Sequence, residues 1–74
     1  MRDPRIDPQV GDMLRKHKEA RRVTNLRLRK DGVVYGCGTM CSHPSIDREW
    51  GGFPNINQWR KWAAKAEVLA RGGE

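Results

Sequence analysis

Apolar and polar positions alternate most clearly in the middle of the chain. Leu26 and Leu28 alternate with Arg27 and Arg29; Tyr35 and Cys37 alternate with Val34 and Gly36. Asp31-Gly32 lies between these runs and is a favoured two-residue reversal. The pattern predicts a hairpin of 23–30 with 33–40, in which Leu28 faces Tyr35, Leu26 faces Cys37, and Lys30 sits beside Val33. Strand side chains alternate between faces, so Leu26, Leu28, Tyr35 and Cys37 are expected inward, and Arg27, Arg29, Val34 and Gly36 outward. A second pattern starts at Asn55. Ile56, Trp59, Trp62 or Ala63, Ala66 and Leu69 recur every three to four residues, and Arg60, Lys61 and Lys65 fall outside that stripe. Asn55 with Gln58 three residues on forms a capping-box variant, and Gly72-Gly73 is a stop signal. Residues 67–70 fit either a last helical turn or a short closing strand.

The flanking segments are less regular. Residues 1–9 hold two Asp-Pro pairs, which disfavour helix at the aspartates and remove ladder donors, so they read as an extended arm. Residues 10–16 read as a turn followed by a short strand, with His17 in a connecting turn. Residues 38–54 have no period and are expected to form one long loop carrying Met40, Ile46, Trp50 and Phe53.

Length narrows the possibilities. Seventy-four residues, 36% of them hydrophobic, with five aromatics make one small domain over 10–74 with a thin core and little room for a buried cleft. The longest apolar runs are three residues, too short for a membrane helix. The start, Met1-Arg2-Asp3-Pro4-Arg5, lacks the apolar stretch of a secretion signal, so a cytoplasmic location is expected.

Charge adds a candidate surface. The net charge is +6, but residues 15–30 alone carry +7 and the remainder −1. Such a segment attracts polyanions, of which nucleic acid is the commonest in a cytoplasm. A solvated surface and an acidic protein partner are the two other readings. The proposed phosphate contacts are Arg15, Lys16, Lys18, Arg21, Arg22, Arg27 and Arg29.

Other residues suggest chemistry more weakly. Cys37, Cys41 and His43 are of zinc-ligand type, but a closed site needs a fourth ligand, from His17, Asp47 or a second chain. Their spacing is not a standard knuckle, and two ordinary cysteines is the favoured reading; a Cys37–Cys41 disulfide fits a reducing cytoplasm poorly. No cofactor is expected. Trp59 and Trp62 have core spacing, although exposed aromatics also stack bases. Trp50 and Phe53 flank Gly51-Gly52 with no periodic reason for burial, which makes them candidate partner-binding residues or a lid over the barrel's open end. His17 reads as a plain turn histidine. Ser42 and Ser45 lie near His43, but no acid is placed to orient it, and no phosphate loop or dinucleotide fingerprint is present. The chain therefore reads as non-enzymatic.

Three or four strands and one helix suggest a mainly β (α+β) fold, a small partly open barrel with one short C-terminal helix. The runs Pro8-Gln9-Val10-Gly11-Asp12, the strand ending at Tyr35, Trp59-Arg60-Lys61-Trp62-Ala63 and Ala66-Glu67-Val68 resemble short uncharacterised phage and prophage proteins of proteobacteria. That resemblance implies an SH3-like barrel, a strand at 67–70 and a bacterial host cytoplasm. It implies no activity, and the chain departs from it at 38–54. The expected function is a basic module on nucleic-acid backbone, DNA or RNA. The alternative is a phage-encoded inhibitor docking on a host protein through its basic face and through Trp50 and Phe53.

Overall fold

The computed structural model describes residues 2–73; Met1 and Glu74, which the expected segment boundaries include, lie outside them. The chain runs β1 (Met13–Lys16), β2 (Glu19–Leu28), β3 (Val34–Ser42), β4 (Trp50–Gly52), α1 (Ile56–Ala63) and β5 (Glu67–Ala70). The strands form one antiparallel sheet in the order β4-β3-β2-β1-β5. The fold is mainly β with one short helix. Among the described residues no helix is long and apolar enough to cross a membrane.

One sheet face packs on α1. Leu14, Val23, Cys37, Trp59, Ala63 and Ala66 are buried together, with Leu26, Trp62 and Val68 half-buried around them. An eight-residue helix is marginal alone, and two features hold this one. Asn55 Oδ1 accepts from the Gln58 N–H at 2.8 Å while the Asn55 N–H donates to Gln58 Oε1 at 3.0 Å, completing the capping box. Trp59 is fully buried, and its indole N–H donates to the Pro4 carbonyl at 2.9 Å. After Ala64 the chain turns, and residues 67–70 form the closing strand against β1. Leu69, placed in the helical stripe by spacing, is therefore exposed on β5.

The central hairpin differs from expectation in its turn. The Arg29 N–H donates to the Val33 carbonyl and the Gly32 N–H to the Arg29 carbonyl, both at 2.9 Å. The loop is thus three residues, Lys30-Asp31-Gly32, with Gly32 at φ +87, the left-handed position such a loop requires. Asp31 caps it by accepting from the Val33 N–H. Leu26 faces Cys37 as the pattern implies, but Leu28 faces Val34, which leaves Tyr35 as an extra, unpaired residue. Leu28 and Tyr35 are exposed rather than inward. Leu28 lies past the Tyr35 bulge and is not among the residues of the core cluster.

Two further expectations are corrected. Residues 38–54 are not one loop: β3 continues to Ser42 and β4 adds an edge strand, leaving residues 43–49 as the connection. Small side chains on both faces of Gly36-Cys37-Gly38-Thr39 hide the alternation, and pairing with β2 supplies the order instead. Of the arm expected at 1–9, the described residues 2–9 are not extended. The Ile6 and Asp7 N–H groups donate to the Asp3 carbonyl, and Asp3 Oδ1 accepts from the Arg5 N–H. Proline disfavours helix at the residue before it, but its own fixed φ and missing N–H suit the first position of a helical turn. The turn buries Pro4 and Pro8 against the core side and is tied down by Arg5 Nε to the Ala66 carbonyl and Arg60 Nε to the Ile6 carbonyl.

A buried carboxylate joins the two ends. Asp12 is fully buried and takes both Arg2 nitrogens, at 2.7 and 2.9 Å, and the N–H groups of Gln9 and Gly72, each at 2.7 Å. Burial pushes this carboxyl up, but the Arg2 guanidinium and the two N–H groups outweigh it and hold it below its ordinary 3.8. Gly72 fits because it lacks a Cβ, which would lie 1.9 Å from the Val10 carbonyl oxygen.

Candidate nucleic-acid interface

The strand register decides which cations share a surface. Core-side residues are Leu14 on β1, Val23 and Leu26 on β2, and Cys37 on β3. Arg15, paired with Ala20, and Arg22, paired with Met13, therefore point to the other face. β2 carries one extra residue, Thr24, between the Val23–Thr39 and Asn25–Gly38 pairs. That bulge keeps Leu26 on the core side and Arg27 on the outer side, with Arg29 following Arg27. Four of the seven proposed contacts, Arg15, Arg22, Arg27 and Arg29, thus form a row on the outer face. From Ala20, opposite Arg15, to Arg29, just past the end of β2, the row spans nine residue steps, about 30 Å.

The other three are elsewhere. Arg21 is on the core side, where it pairs with Glu19 and lies 4.2 Å over the Trp62 ring. Lys16 pairs with Glu19 at the end of β1, and Lys18 sits on the β1–β2 turn beside His17, whose φ of 57 suits that tight reversal. The fold also brings acids to the row that the local charge count does not contain. Arg15 meets Glu67 at 2.9 Å and Arg22 meets Glu49 at 3.8 Å. Both pairs are about half exposed, so each contributes little and leaves the guanidinium accessible.

Trp50 and Phe53 separate. Trp50 opens β4 opposite Cys41 and is half-buried, whereas Phe53 follows the strand and is 70% exposed. Arg27 lies 5.9 Å from the Phe53 ring centre and 5.7 Å from that of Tyr35, within cation–π range. Trp59 is core, and Trp62 packs on it at 5.7 Å while its other side meets Arg21. Tyr35 was missed by sequence reasoning, because its place outside the core depends on the bulge.

The cysteine–histidine group does not converge. Cys37 and Cys41 are both buried on β3, four residues and so about 13 Å apart. Among the described residues no group of three His, Cys, Asp or Glu side chains is placed to hold a metal ion. Burial pushes the Cys37 thiol up to about 11, against a smaller opposing effect of Arg21. His43 Nδ1 accepts from the Ser45 N–H at 3.1 Å, with the Ser45 hydroxyl at 2.7 Å, a contact local to the 43–49 connection. No family model matches the chain, and no curated protein or solved structure matches it either.

Proposed function

We propose that the protein is a small, non-catalytic nucleic-acid-binding module, phage or prophage encoded and acting in a bacterial cytoplasm, that holds phosphates on the outer face of β1 and β2. The observation that supports this reading is the row of Arg15, Arg22, Arg27 and Arg29 along one face of the sheet. Guanidinium groups bind phosphate oxygens in a forked geometry, and such contacts give affinity without choice of sequence. Their partners Glu49 and Glu67 are exposed and easily displaced.

The test is a titration of labelled duplex DNA across salt concentrations, read by fluorescence anisotropy. With about four phosphates engaged, log K falls with log salt at a slope of about −3.6. A flat salt profile, or no binding in low salt, overturns the reading. Reversing Arg27 and Arg29 to glutamate is expected to weaken binding on all sequences alike.

The 70% exposure of Phe53 favours a second reading, an inhibitor that docks on a host protein. Capture of one protein from bacterial lysate that survives nuclease treatment supports docking, and loss of every partner on nuclease treatment supports nucleic acid.

A further inference from the structure

Phe53, Arg27 and Tyr35 come from three separate segments and meet at the surface. Phe53 follows β4, Arg27 belongs to β2, and Tyr35 is the unpaired residue of β3. In an unbroken ladder Tyr35 would alternate with Gly36 and share the core face of Cys37. The bulge instead brings its ring to 5.7 Å from Arg27, and bulges commonly re-aim side chains at working surfaces. Neither ring is needed to fill the core, since Phe53 is 70% and Tyr35 39% exposed.

A groove adjoins each ring. Phe53 borders one of about 460 Å³ whose walls include Arg21, Trp50, Gln58 and Trp62. Tyr35 borders another of about 460 Å³ that includes Arg29, Asn57 and Arg60. Among the described residues that line them, neither groove has an aspartate or glutamate. Arg27 lies between the two exposed rings, and each ring borders a groove with an arginine in its wall.

We propose that this surface binds single-stranded nucleic acid, with bases stacked on Phe53 and Tyr35 and phosphates held by Arg27, Arg29 and Arg60. The proposal rests on the nucleic-acid reading above and narrows it. Duplex DNA offers base edges and phosphates but keeps its base faces stacked, so exposed rings gain nothing from it. A single strand offers both the faces and the charge. Arg27 beside both rings, with Arg29 and Arg60 in the acid-free Tyr35 groove, complements a polyanion better than a neutral peptide.

The test compares a labelled oligothymidylate of about twenty nucleotides with a hairpin duplex of similar phosphate number. The wild-type protein is expected to bind the single strand more tightly, with quenching of tryptophan fluorescence as bases enter the groove beside Trp50 and Trp62. The double variant Phe53→Ala/Tyr35→Ala is expected to lose roughly tenfold or more in single-strand affinity while duplex affinity stays within about twofold. Phe53→Trp, which keeps a ring, is expected to retain single-strand binding. The thermal melt of each variant checks that it folds. If the wild type binds both probes and the folded double variant binds the single strand unchanged, stacking is overturned and the phosphate reading survives. Equal loss on both probes also overturns stacking. Failure of the wild type to bind either probe in low salt overturns both readings. If the double variant keeps oligonucleotide affinity but loses a nuclease-resistant protein partner, the rings belong to protein docking.

Discussion

Asp12 remains charged without solvent because four donors converge on it: two guanidinium nitrogens of Arg2 and two backbone N–H groups. Removing one side of a buried ion pair strands the other, at about 3–5 kcal/mol. Asp12→Ala is expected to cost about that much in urea denaturation. The pH dependence follows the same carboxyl. Its pKa is lower folded than unfolded, so its stabilisation is complete well above 3.8 and is lost as pH falls through the lowered folded value. The acid limb of the stability–pH curve is expected to flatten in the variant, and an unchanged limb would assign acid sensitivity to other carboxylates. Cys37 has the opposite sign. A thiol raised to about 11 is neutral and shielded at neutral pH. Both cysteines are buried, so Ellman's reagent is expected to label neither in the native protein at neutral pH and both after denaturation.

At the level of elements, the helix depends on its cap and on one side chain. Asn55→Ala removes half of the capping box and is expected to cost about 1 kcal/mol, or a fall of about 4–8 °C in the thermal midpoint of so small a domain. Features settled by neighbours in sequence were legible beforehand: the Asn55–Gln58 box and a reversal near Asp31-Gly32. Leu26 faces Cys37 as expected, but only because the extra residue Tyr35 offsets the longer loop. Features settled by distant partners were not legible. Nothing local says that Leu28 stays outside the core cluster, that Tyr35 is the odd residue in its ladder, or that Trp50–Gly52 finds an edge on β3. The spacing of Trp59 and Ala66 fits a longer helix, and only the pairing of Val68 with Leu14 converts its end to a strand. The arginine row was half legible: Arg27 and Arg29 follow from alternation, whereas the addition of Arg15 and Arg22 needs the Thr24 bulge and the β1 register.

Over the whole molecule, charge and shape divide the surface. The outer sheet face carries the arginine row, and Phe53, Tyr35 and their grooves form a second surface, with Arg27 and Arg29 belonging to both. The net charge of +6 predicts attraction to any polyanion in low salt, so only the salt slope and the ring variants separate specific docking from general stickiness. The contact of Arg2 with both Asp12 and the Gly72 carbonyl, at 2.9 Å for the latter, has a further consequence. It brings the two ends of the described chain within reach of one arginine side chain, while the Lys30–Gly32 loop is exposed. A circular permutant, opened at that loop and spliced by a short glycine bridge from Gly73 to Arg2, is therefore expected to reach the same native topology.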